Sequence, residues 1–208
     1  MANGNAPASA AAEIVLASES RSRRELLLHA GLRIRTEPAR IDETEVKASL
    51  RAEQADAAAA AETLAELKAI KVSRRAPGAL VIGADQILEC EGRWFDKPPD
   101  RAAAAAHLRA LGGKTHVLVS AVCVVCDGAR IWHHREAAHL TMRPLDAAFI
   151  ESYLDAAGPE VLETVGAYRL EGLGAQLFSK VSGDYFTVLG LPLLPLLGFL
   201  REHGVPPP

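Results

Sequence analysis

Apolar residues come in short, bounded runs along this chain. Ile14 to Ala17 is apolar, β-branched at its start, and stops at the polar Ser18-Glu19-Ser20, which predicts a short buried strand leading into a turn. A helix is predicted next over Ser20 to Ala30, with Leu26, Leu27 and Leu28 inside it and Gly31 as its stop. Between about Glu45 and Lys71 the chain is rich in alanine and free of Gly and Pro. That predicts one long helix, with Leu64, Leu67 and Lys68 on neighbouring positions of one side and the alanines as filler. Ala79 to Ala84 reads as a second buried strand that delivers Asp85 at its C-terminal end, and Ile87 to Cys90 is a candidate continuation.

Asp100 is placed to cap a helix whose Leu108 and Leu111 face the core before Gly112-Gly113 ends it. His116 to Cys126 predicts a strand, Asp127-Gly128 a hairpin turn, and Ala129 to Met142 an antiparallel return. Phe149, Ile150, Tyr153 and Leu154 form the apolar stripe of a helix closed by Gly158. Gly166 to Gly174 reads as a loop, Gln176 to Val181 and Tyr185 to Val188 as strand-like segments around Ser182-Gly183-Asp184, and Pro192 to Leu200 as a last short helix. Strands, crossover helices and one clear hairpin together predict an α/β fold on a mixed, twisted sheet with flanking helices.

With 208 residues, 49% of them hydrophobic and 24% charged, the chain is neither a disordered nor a membrane-spanning composition. One domain over residues 13–203 is expected, with a disordered N-terminal tail over 1–12 and a C-terminal tail over 204–208. A formal net charge of -3 supplies no general drive onto nucleic acid or anionic lipid, so neither is an expected partner. Cys90, Cys123 and Cys126 cannot all pair within the chain, and no basic, apolar leader opens it, so a reducing, cytoplasmic setting is expected.

Two places suit a ligand. Ser18, Ser20 and Arg23 lie where a strand meets a helix N-terminus, whose free N–H groups and positive dipole end favour phosphate. Asp85 lies where α/β sheets collect ligands. Other motifs carry less. Cys123 and Cys126 point to opposite faces of a strand, as do His133 and His134, with His139 further along, so neither set reads as a metal site. Gly112-Gly113-Lys114-Thr115 imitates a phosphate loop but follows a helix and precedes a strand, the reverse of the context required. No G-x-S-x-G elbow is present, and the apolar Leu191 to Leu200 reads as a terminal core helix.

Taken in order, these segments resemble the Maf family of nucleoside triphosphate pyrophosphatases. Ser18-Glu19-Ser20 with Arg23 and Leu26-Leu27 is similar to its S-x-S-x-x-R-x-x-L-L opening. Ile41-Asp42-Glu43 resembles I-D-E, Lys68 the lysine of L-A-x-x-K-A, Gly83-Ala84-Asp85-Gln86 the G-A-D-[TQ] motif, and Asp96-Lys97-Pro98 the [GDE]-K-P motif. Leu111 to His116 is similar to L-S-G-x-T-H, with Gly112 in place of serine. Gly166-Ala167-Tyr168, Glu171 to Gly174, Gly183-Asp184-Tyr185 and Gly190 to Leu193 resemble the later G-A-Y, [QE]-G-x-G, G-[DS]-Y and G-L-P-L blocks.

The resemblance implies two lobes around a central nucleotide-binding cleft. It also implies hydrolysis of a nucleoside triphosphate between the α and β phosphorus, with a divalent cation (Mg²⁺, Mn²⁺ or Co²⁺) and a homodimeric assembly. Asp85 is then the proton acceptor, Glu43, Lys68 and Lys97 complete the catalytic set, and Ser18, Ser20 and Arg23 bind substrate. Asp85 and Glu43 are the candidate metal ligands. Arg23, Gln86 and Glu171 are the base-selectivity positions. Gln86 with Glu171 resembles the 7-methyl-GTP branch, while Thr164 departs from the lysine that many members carry. Two other readings stay open at this point: a pyrimidine-selective enzyme acting on dTTP, UTP or CTP, and a nucleotide-dependent regulator of septum formation and cell division that acts mainly by binding.

Overall fold

A computed structural model describes residues 13–205. The elements run β1 (Ile14–Leu16), α1 (Arg21–His29), β2 (Ile34–Thr36), α2 (Glu43–Ala52), α3 (Ala57–Ser73), β3 (Leu80–Cys90) and β4 (Arg93–Phe95). They continue with α4 (Arg101–Leu111), β5 (Thr115–Cys126), β6 (Ala129–Met142), α5 (Ala147–Ala157), β7 (Phe178–Ser182), α6 (Tyr185–Val188) and α7 (Leu193–Glu202). One mixed sheet of order β2-β1-β3-β5-β6-β7, with β4 beside β3, carries the helices. Strand β1 lies parallel to β2 and β3, and the remaining pairs are antiparallel. The sheet is the mixed one expected. The expected tail at 1–12 and the last three residues of that expected at 204–208 lie outside the described residues; Val205, expected in the tail, instead packs with the α7 core.

The core divides in three. Alanines and leucines of α3 cover one face of the sheet, with Val81, Ile87, Ala121 and Cys123 beneath them. On the opposite face Leu80, Ile82, Ala84 and Val124 pack under α1 and α7. A further cluster around α4 and α5 takes Leu88, Cys90, Leu118 and Leu140 from the far halves of the same strands. The three long strands therefore run through two lobes, and the last two clusters part company on one sheet face at Gln86. Cys123 and Cys126 fall into different clusters, on opposite faces, as the period of a strand dictates. Among the described residues no helix is long and apolar enough to cross a membrane.

Five expectations are corrected. The single helix over 45–71 is two helices. Gln54 takes a left-handed backbone (φ 58) that ends α2, and Asp56 caps α3 by accepting the Ala59 N–H at 2.7 Å. Leu67 leaves the buried side of α3 that Leu64 and Lys68 occupy. Tyr185 to Val188 is helical, because Asp184 accepts the Thr187 N–H at 2.8 Å and the side chains of Ser120 and Gln86 hydrogen-bond the Thr187 carbonyl. Asp85 lies mid-strand: pairing continues past it, Gln86 opposite Ser120 and Glu89 opposite Val117. Nor are the alanines filler. Ala60, Ala61, Ala65 and Ala69 are fully or almost fully buried, and their small size lets α3 lie against the backbone of β3.

His116 is buried in the α4–α5 lobe with Nε2 2.7 Å from the Tyr168 hydroxyl. Burial pulls its imidazole from 6.5 down to about 4. Between those values the unfolded chain binds a proton that the folded chain does not. Stability is therefore full above 6.5 and falls as the pH drops toward 4, by up to about 1.4 kcal/mol per pH unit from this group. Urea midpoints measured across that window should fall more steeply in the native protein than in a His116→Gln variant. Parallel pH dependences in the two would count against the assignment.

Candidate active site

Every selected residue of the first lobe converges on one cleft of about 700 Å³. Its floor is the α3–β3 contact. Asp85, facing α3 from mid-strand, holds Lys68 Nζ at 2.5 Å through Oδ1, and the same ammonium reaches Glu43 Oε1 at 2.7 Å. The approach is close because residue 83 is glycine: a Cβ there would lie 2.1 Å from the Ala65 carbonyl oxygen and 2.8 Å from Ala69 Cβ. The helix delivering Lys68 and the strand delivering Asp85 are thus in direct backbone contact.

Lys68 and Asp85 are almost completely covered, whereas Glu43 opens toward solvent. Partial burial alone raises the Glu43 carboxyl. The charges of Lys68, Lys47 and Arg23 outweigh that effect and hold it below the ordinary glutamate range. Asp85 Oδ2 is buried and receives no hydrogen bond from the described residues. An orphaned carboxylate oxygen in a cleft is costly for folding and available to a ligand.

The next wall is the start of α1. Ser20 caps it by accepting the Arg23 N–H, and Ser18 Oγ accepts the Ser20 N–H at 3.2 Å. Arg23 crosses the molecule. Its Nε donates to the Gly190 carbonyl (2.8 Å) and its Nη1 to the Ala84 carbonyl (2.9 Å) and Ser18 Oγ (3.2 Å). Burial lowers the affinity of this guanidinium for its proton, and the nearby Asp85 and Glu43 charges oppose that. Arg23 therefore ties β3, α1 and the α6–α7 turn together while Nη2 stays uncommitted among the described residues.

Gln86 and Glu171 line the same cleft. The Glu171 carboxylate is bound to Arg169 Nε at 3.0 Å, so its charge is partly compensated. Lys97 borders the cleft, exposed and without an ion pair among the described residues. The residue before it, Asp96, is clamped by Lys47 (2.7 Å) and Arg51 (3.2 Å) of α2, which anchors the Lys97 turn beside Glu43.

Sequence reasoning missed Lys47, which is buried and lines the cleft. Its signal was present, for it follows Glu43 by one helical turn and shares its face. Arg40, another exposed cation of the cleft, sits in a left-handed loop position (φ 50) that no pattern announces. Outside the cleft, Lys114 is paired with Glu91, His134 with Glu136, and His133 and His139 are exposed on β6.

Residues 13–203 match the family described as Maf-like protein. Over 190 residues the chain is 57% identical to a "Nucleoside triphosphate pyrophosphatase" of Paramagnetospirillum magneticum, covering 91% of this chain and 98% of that protein. It is 51% identical over 191 residues to a protein of the same name in Granulibacter bethesdensis, covering 92% and 97%. It is also 53% identical over 192 residues to a "7-methyl-GTP pyrophosphatase" of Rhizobium etli, covering 92% and 96%.

Proposed function

We propose, because this chain belongs to the Maf family, that its cleft hydrolyses nucleoside triphosphates to the monophosphate and pyrophosphate. The carrying observation is the Glu43–Lys68–Asp85 cluster on the cleft floor, with one oxygen of Asp85 pinned and the other free. Water attacks the α phosphorus, its oxygen forms the new P–O bond, and the bridging α–β P–O bond breaks. The proton goes to Asp85 Oδ2, and pyrophosphate carries away the bond's electron pair.

Lys68 orients the carboxylate by its bond to Oδ1. Lys97 and Arg40, both free of ion pairs among the described residues, meet the negative charge of the phosphates, with Arg23 Nη2, Ser18 and the start of α1 beside them. The open carboxylate of Glu43, with the Asp85 carboxylate beside it, would hold a hard divalent cation. Among the described residues no third His, Cys, Asp or Glu joins them, so the rest of its oxygen shell would come from phosphate and water, as suits Mg²⁺. When bound, the ion neutralises phosphate charge.

For the base we propose 7-methyl-GTP ahead of UTP, CTP and dTTP. The relatives bearing that name support it, and so do Gln86 and Glu171 in the same cleft. The assembly and setting proposed with it are a homodimer in the cytoplasm, without nucleic acid or membrane.

The test separates pyrophosphate from orthophosphate release on these four nucleotides, with Mg²⁺, Mn²⁺ or Co²⁺ and with chelator. Pyrophosphate from 7-methyl-GTP, lost by at least about 100-fold on chelation, is expected. Orthophosphate release instead would overturn the bond assignment, and undiminished turnover in chelator the metal. Sedimentation of the same preparation reads the dimer.

A further inference from the structure

Gln86 stands where the two clusters on one sheet face separate, and its side chain is held from three sides. With two protons, one of them shared, Nε2 donates to Ser120 Oγ at 3.0 Å and to the backbone carbonyls of Thr187 and Val188, each at 3.1 Å. Ser120, directly across from Gln86 on β5, spends its own proton on the Thr187 carbonyl at 2.8 Å, so its oxygen is left to accept from Gln86. Thr187 is pinned again through Oγ1, which donates to Glu136 at 2.7 Å, and Glu136 faces Ser120 from β6.

This network admits one orientation of the Gln86 amide. A backbone carbonyl only accepts, so turning the amide over would set Oε1 against two other acceptors and take the Gln86 donor from both. Nε2 must point to α6, and Oε1 must point away from it. Oε1 receives no hydrogen bond from the described residues. It lies 3.7 Å from where a Cβ on Gly190 would be, beside the Arg23 guanidinium, and Gly190 (φ +94) keeps that space open.

We propose that Ser120 and the Thr187 carbonyl are a positioning clamp that turns Gln86 into a pure acceptor, so that the cleft selects bases carrying a ring N–H. This deepens the reading of the cleft as a nucleotide site and rests on it. Guanine and hypoxanthine present N1–H, and uracil presents N3–H. Adenine and cytosine present a lone pair at the same ring position, which faces Oε1 acceptor to acceptor. A site built to accept a hydrogen bond discriminates strongly against the partner that cannot donate it.

The test measures binding of the non-cleavable α,β-methylene triphosphates of inosine against adenosine and of uridine against cytidine, alongside pyrophosphate release from the ordinary triphosphates. Within each pair only the polarity of the ring nitrogen and its neighbour is reversed. The wild-type protein should favour inosine and uridine by at least about tenfold. Gln86→Met should bring both ratios near one, and Ser120→Ala should shrink them at least about threefold. A ratio within one preparation is insensitive to the folded fraction, so a merely structural role of Ser120 would not move it. Equal or reversed wild-type preference would overturn the inference, and an unchanged ratio in Ser120→Ala would overturn the clamp. The expected binding ratios without pyrophosphate release would sink the proposed reaction and leave the base selection standing.

Discussion

Asp85→Asn is expected to lower pyrophosphate release by about two to four orders of magnitude, the range for losing a general base. Asparagine keeps the shape and, through its carbonyl oxygen, the bond to Lys68. It loses the buried, unpartnered carboxylate oxygen of Asp85 and places an amide there that can neither take a proton nor balance a cation. The folding cost should be smaller than for a buried pair cut outright, because Lys68 retains Glu43 at 2.7 Å. About 1–3 kcal/mol is expected, short of the stability of an ordinary domain. Kinetics and thermal melting on the same preparation separate the two effects. Activity within tenfold of wild type in a folded protein would remove Asp85 as proton acceptor.

Gly83→Ala should be almost as damaging, by a different route. Its new methyl meets the Ala65 carbonyl oxygen at 2.1 Å, and that atom belongs to the backbone of α3, so no side chain can swing aside. The helix must move off the sheet. About 3 kcal/mol of stability is expected to be lost, a fall of roughly 6–12 °C in Tm for a domain of this size. Because α3 carries Lys68, the shift also disturbs the Asp85 geometry, and a further loss of about 100-fold in kcat/KM is expected in the folded fraction. Gly92→Ala is the control. Its Cβ meets nothing within 4 Å, and only its positive φ is penalised, at about 1 kcal/mol. Equal melting points for the two variants would show that the helix contact does not matter.

These two sites also show what a linear reading can reach. Asp85, Lys68 and Glu43 were each nameable by motif, and the hairpin at Asp127-Gly128, the Asp100-capped helix and the Gly158 stop all stand where the local pattern put them. Local chemistry decides such features: a capping carboxylate, a turn dipeptide and an apolar stripe act within a few residues of themselves. The split between α2 and α3 was hidden because Gln54 and Asp56, rather than Gly or Pro, end one helix and start the next. Lys47 was legible only through its one-turn spacing from Glu43, and its burial under Asp96 comes from a contact 49 residues away.

By itself the sequence determined the mixed α/β class, the order of most elements, the residue types that line the cleft and the family. Those depend on short-range periodicity, capping and recurring motifs. Only the tertiary structure decided that the alanines of α3 are a packing surface, that Arg23 ties three elements together and that Tyr185–Val188 is a helix. It alone decided which end of the Gln86 amide faces the cleft. The physical reason is common to all four. Each depends on hydrogen-bond partners or atomic contacts brought together across long separations in sequence, joined for Tyr185–Val188 by the local Asp184 cap.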